Sequence, residues 1–145
     1  MRLDDLRNQI GSLDVVRGIP SEMRPRVVLL FLGIGSEQHR KEGEVLFERG
    51  ASNDGSAYIL LRGSLEVEKP DAPPIGVDAP HLIGELAQLD KKQQRGATVT
   101  VTSESVLLHF TWANFASAAR SVLTPNEAQA VHESLEKLAW EHLSG

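Results

Sequence analysis

The chain has 145 residues, 41% hydrophobic and 24% charged, a length and balance that suit one globular domain with its own core. Its net charge of −5 argues against nonspecific nucleic-acid binding, no direct nucleic-acid partner is expected, and the absence of cysteine excludes disulfides and thiolate metal sites. The acidic start, Met1 to Asp5, is no secretory signal, and the longest apolar run, Val27 to Ile34, is too short to span a bilayer, so a cytoplasmic protein with no membrane partner is expected.

Apolar residues at Leu3, Leu6 and Ile10 have helical spacing, which Gly11 and Ser12 interrupt. Leu13, Val15, Val16 and Ile19 continue it to about Gly18. Pro20-Ser21-Glu22 reads as a stop and a new start, with Ser21 as N-cap and Pro25 in the first turn. Met23, Val27, Leu30, Phe31 and Ile34 form one face of a helix packed against the rest of the core.

Gly43 then turns the chain into a short strand around Leu46-Phe47, and Gly50 turns it out. Asn53-Asp54-Gly55 is a further turn signal. Ala57 to Arg62 reads as a strand, Gly63 breaks it, and Ser64 to Glu68 alternates. Pro70, Pro73, Pro74 and Pro80 mark a loop around an edge strand near Ile75 to Val77. Ala97 to Val101 and Ser105 to Phe110 complete an antiparallel set. Short strands at close intervals point to a mainly β fold, an antiparallel β-roll or jelly-roll barrel, with N-terminal helices and two C-terminal helices. The first of these runs from Thr111 to about Val122. Thr124-Pro125-Asn126-Glu127 is a capping box opening the second, which has Val131, Leu135, Leu138 and His142 along one stripe. The chain is thus read as a single domain: helical over 1–40, β-roll over 41–110, helical over 111–145.

The stretch Ile83 to Val99 carries the chemistry. Gly84 permits positive φ or a close backbone approach, and Glu85 is an acceptor for a sugar hydroxyl. Backbone N–H groups at Leu86 and Ala87 suit an anion at the start of a helical turn. Arg95 offers a planar, permanently charged fork that can bind two phosphate oxygens together. A phosphodiester needs such partners, since burying an anion without them is costly. Taken alone, Glu85 and Arg95 also fit an ordinary ion pair beside a turn.

These residues resemble the phosphate-binding cassette of the cyclic nucleotide-binding domain, the module of catabolite-activator-type regulators and of protein kinase A regulatory subunits. The family pattern is Gly-Glu-Leu-[Ala/Gly], a short helical turn, then Arg-[Ala/Ser]-Ala-Thr-Val. Gly84, Glu85, Leu86, Ala87, Arg95, Ala97, Thr98 and Val99 fit it, and the gap from Glu85 to Arg95 matches the bacterial regulators. Gln94 stands where proline is common, and Gly96 where a small residue usually carries a β-carbon. The glycine-punctuated run from Gly43 through "Leu-Phe", Gly50 and Tyr58-Ile59-Leu60 to Gly63 fits as well, with a turn after Gly50 one residue longer than usual.

The resemblance implies a ligand site of Gly84, Glu85, Leu86, Ala87, Arg95, Gly96 and Ala97. In the family the last helix closes over the base or pairs with a partner subunit. Trp140 is therefore the candidate base lid, with packing on the barrel or a dimer seam as the other reading. A hydroxyl after the arginine favours guanine in the family, and Gly96 has none, which implies cAMP before cGMP.

His39, His81, His109, His132 and His142 lack the His-x-His spacing of a metal-binding barrel, and nothing resembles a P-loop or a nucleophile elbow. His109 alternates in an apolar strand and reads as a structural histidine. No metal, no cofactor and no catalytic residue is expected. The leading reading is a stand-alone sensor whose C-terminal helices move on ligand binding to regulate an unidentified effector protein, or that acts as a homodimer through the last helix. The alternatives are a nucleotide-free interaction module of the same fold, and a fragment of a DNA-binding regulator, which would carry a helix-turn-helix beyond the last helix.

Overall fold

β-Branched and aromatic residues fill the middle of the chain, and there the backbone of this computed structural model forms two antiparallel sheets. The structure describes residues 2–85 and 94–144, the side chains of 140–144 excepted. One sheet has the order β1 (Ser36–Arg40), β8 (Ser105–Thr111), β3 (Ser56–Arg62), β6 (His81–Ile83). The other has the order β2 (Val45–Phe47), β7 (Thr98–Val101), β4 (Ser64–Glu68), β5 (Ile75–Asp78). The strands make a roll of two open four-stranded sheets rather than a closed barrel. One edge strand of each sheet is unsuited to further pairing. β1 is polar throughout, and β5 follows a proline-rich loop.

Strand alternation builds the core of the roll. Tyr58, Leu60, Ile83 and Leu107 of one sheet meet Leu65, Val99 and Val101 of the other. The register follows, with Leu65 opposite Val101 and Val67 opposite Val99. Ser36–Arg40 lies in the part read as helical from sequence, but it is a strand, paired with β8 from Ser36↔His109 to Arg40↔Ser105. An edge strand with no apolar alternation leaves no period to read.

Gly63 sits at the β3–β4 corner with φ of 103°. A β-carbon there would overlap Ser105 Oγ and lie 2.7 Å from the carbonyl of Glu104. The corner therefore needs glycine on two counts, conformation and space.

The chain divides into two units, one comprising Ser36–His109 and the other Met1–Gly35 with Phe110–Gly145. The second unit is helical: α1 (Leu3–Gly11), α2 (Asp14–Arg17), a 3₁₀ turn (Ser21–Met23), α3 (Arg24–Ile34), α4 (Trp112–Val122) and α5 (Pro125–Ser144). Ser21 opens the 3₁₀ turn without making a side-chain cap, and α3 begins at Arg24. Buried Phe31 of α3 packs on Phe110 and on Phe115 of α4, with ring centroids 5.4 and 5.1 Å away. The capping box of α5 forms in both directions. Glu127 N–H donates to Thr124 Oγ1 at 3.2 Å, and Thr124 N–H donates to Glu127 Oε1 at 3.0 Å.

Arg26 of α3 grips Glu127 through both terminal nitrogens. Hydrogen bonding from Arg26, then from the Thr124 backbone, lowers the Glu127 pKa to about 2. Because this folded-state value lies below the ordinary carboxylate value of 4.5, the contribution of the pair is complete above that value and is lost as pH falls through about 2.

Replacing Gly63 by alanine should cost about 3 kcal/mol, read from urea unfolding. A loss under about 1 kcal/mol would show that the corner relaxes freely.

Candidate cyclic nucleotide site

The turn after β2 holds the backbone of Arg95. Gly50, with φ of 87°, donates its N–H to the Arg95 carbonyl at 2.9 Å, and Arg95 N–H donates to the Ala51 carbonyl at 2.8 Å. Ser52 bridges Gln94 in the same antiparallel sense. The segment just before β7 is thereby fixed against the segment just after β2, and the Arg95 side chain emerges from a clamped backbone.

That side chain is only 9% exposed. Its Nη2 donates to Asp54 Oδ1 and to the Ser56 carbonyl, each at 2.9 Å. Its Cζ lies 3.8 Å from the centroid of the Phe47 ring, a cation–π contact. Among the described residues, none accepts a hydrogen bond from Nε or Nη1. Nη2, the corner shared by both donor edges of the fork, is anchored inside the roll, while the N–H groups of Nε and Nη1 have no described acceptor.

Asp54 is itself placed by its turn. Gly55 N–H donates to Asn53 Oδ1 and Ser56 N–H to Asp54 Oδ1, both at 2.9 Å, two successive side-chain turns that set up the start of β3. The largest influence on the Asp54 carboxyl is partial burial, which would raise its pKa. The Ser56 N–H, then Arg95 and the Ser56 hydroxyl, outweigh it and hold the pKa below the ordinary range. Asp54 is 70% exposed, so water screens the pair, and it contributes at most about 1 kcal/mol to stability.

Gly84 meets the same spot from β6. Its φ is 102°, and a β-carbon would lie 3.0 Å from the Ser56 carbonyl and 3.1 Å from Ala57 Cα. The start of the cassette and the Arg95 guanidinium therefore converge on one carbonyl, that of Ser56. Glu85, the next residue, is buried at 7% exposure. Gly96 is exposed, and no described atom lies within 4 Å of where its β-carbon would be, so packing does not dictate a glycine there. Ala97 is half-buried just before β7. Leu86 and Ala87 lie outside the described residues, as does the side chain of Trp140, whose backbone belongs to α5 in the helical unit.

His109 is half-buried, with Nε2 3.2 Å from Ser56 Oγ and its ring 5.1 Å from that of Tyr58. It is a satisfied structural histidine. Sequence reasoning missed Phe47, Asp54 and Ser56 as neighbours of Arg95. They stand some forty residues away in the chain, and only the turn signal at Asn53-Asp54-Gly55 pointed toward them.

A profile of the cyclic nucleotide-binding domain matches residues 37–121. The chain belongs to this family. No curated protein matches it. Among solved structures, the domain is similar to a protein of a cyclic-GMP-dependent signalling pathway that regulates bacterial phytopathogenesis. The identity is 19% and the TM-score 0.67, over 88% of this chain and 96% of that one. It is similar to the catabolite activator protein of Thermus thermophilus, at 18% identity and a TM-score of 0.69, over 90% of this chain and 58% of that one. It is also similar to the sensor domain of the transcriptional regulator DNR from Pseudomonas aeruginosa, at 12% identity and a TM-score of 0.67, over 94% and 92%. The domain thus spans little more than half the length of the Thermus regulator. At these identities the likeness is one of fold. Among the described residues, no helix is long and apolar enough to cross a membrane, and no group of three or more His, Cys, Asp or Glu could hold a metal ion.

Replacing Arg95 by glutamine should raise the Asp54 pKa only part of the way to its ordinary value, because the Ser56 N–H bond remains. Carboxyl ¹³C titration by NMR would read this. An Asp54 pKa identical in both proteins would mean that the two side chains do not meet in solution.

Proposed function

We propose that the domain binds a cyclic nucleotide, cAMP in preference to cGMP, as a regulatory ligand rather than a substrate. Arg95 meets the ring phosphate, Glu85 accepts from the ribose hydroxyl, and Gly84, Leu86, Ala87, Gly96 and Ala97 form the turn that surrounds the phosphate. The observation that carries this reading is the state of Arg95. A charge so far out of water is costly unless it is answered, and Asp54, its one carboxylate partner among the described residues, is mostly exposed. Nε and Nη1 keep their N–H donors for an anion, and a two-oxygen grip along the Nε–Nη2 or Nη1–Nη2 edge would have Nη2 exchange Asp54 for a ligand oxygen. The preference for cAMP rests on the lack of a hydroxyl at Gly96. Binding would act on an effector protein, or on a second copy of the chain, through a difference in affinity between two arrangements of the C-terminal helices.

One observation favours a nucleotide-free module. The carboxylate of Asp54 already answers part of the Arg95 charge, so the domain carries an internal anion where a ligand would otherwise be the sole partner.

Calorimetry with cAMP and cGMP on the wild type and on Arg95→Ala separates the two. The proposed function predicts cAMP binding by the wild type and a loss of a hundredfold or more in the variant, on the order of 3 kcal/mol. A wild type that gives no heat with either nucleotide at millimolar concentration would favour the nucleotide-free module.

A further inference from the structure

The structure assigns a positioning role to Phe47: its ring sets the plane of the Arg95 guanidinium so that the remaining Nε and Nη1 donors are presented to an anion. This rests on the reading of Arg95 as the phosphate ligand. The two bonds from Nη2 pin one corner of the guanidinium to Asp54 and Ser56. A planar group held at one corner can still pivot about it. The Phe47 face, 3.8 Å from Cζ, removes that freedom, because the cation is attracted to the centre of the ring. Little water competes at a side chain that is 9% exposed.

The ring is itself held. Its contact with Tyr58 is edge-on, with centroids 5.4 Å apart. Tyr58 packs on His109, His109 meets the Ser56 hydroxyl, and the Ser56 carbonyl accepts from Arg95. The chain of contacts from Arg95 through Phe47, Tyr58, His109 and Ser56 closes on itself. Strand β2 also shifts register against β7 between Val45 and Phe47, the kind of irregularity that re-aims a side chain beside a site. An aliphatic residue at 47 would fill the space without attracting the charge.

The test is a set of ring variants at position 47. Mono-, di- and pentafluoro-phenylalanine keep the ring while draining its negative face, and Phe47→Leu removes it. cAMP affinity should fall in step with fluorination, reaching a loss of about tenfold in the pentafluoro and leucine variants. Without ligand, the Arg95 Hε resonance should sit upfield in the wild type from the ring current and move downfield in Phe47→Leu. If the wild type binds cAMP and the pentafluoro variant binds as tightly, Phe47 has no such role. If the wild type binds no cyclic nucleotide, the reading of the site itself is overturned.

Discussion

The positive charge of Arg95 is nearly out of contact with water, and the residues around it are arranged to answer that charge. A bare guanidinium in such a place would cost several kcal/mol. Among the described residues, three groups share the work. Asp54 supplies opposite charge from the solvent side, the Ser56 carbonyl supplies a second acceptor, and the Phe47 ring supplies a face. None of these uses Nε or Nη1. Among the described residues the cation is held firmly, with its Nε and Nη1 donors uncommitted.

The roll explains how residues so distant in sequence come together. β2 and β7 are neighbours in one sheet, so the turn leaving β2 and the segment entering β7 lie side by side and exchange backbone hydrogen bonds at Gly50, Ala51 and Arg95. β3 and β6 are neighbours in the other sheet, which brings Gly84 to the start of β3. The candidate site lies where these two pairs converge, on the Ser56 carbonyl. Gly84 has to be glycine because its backbone carries a positive φ against that carbonyl, and Gly50 because the clamp on Arg95 begins there with positive φ. In the helical unit, Arg26 with Glu127 and Ser134 with the Val15 carbonyl fasten α5 to the N-terminal helices, so these helices form one body.

Much of this was legible in the residues. The glycines at 43, 50 and 63 marked strand ends where the structure has them, and Thr124 to Glu127 announced a capping box that forms as written. The cassette residues identified the family. What stayed hidden depends on pairing across the sheets. Asp54 looked like an ordinary turn residue and Phe47 like part of a short strand, because nothing local marks a side chain that meets a partner forty positions on. β1 was hidden for a different reason. It is a polar edge strand, held by backbone hydrogen bonds to β8 rather than by any apolar pattern.

The most direct test of the account is a crystal structure of the domain grown with cAMP. It should show the ring phosphate within hydrogen-bond distance of the Arg95 guanidinium, the guanidinium still lying on Phe47, and Glu85 accepting from the ribose hydroxyl. A nucleotide bound elsewhere, with Arg95 still turned only to Asp54 and Ser56, would contradict it.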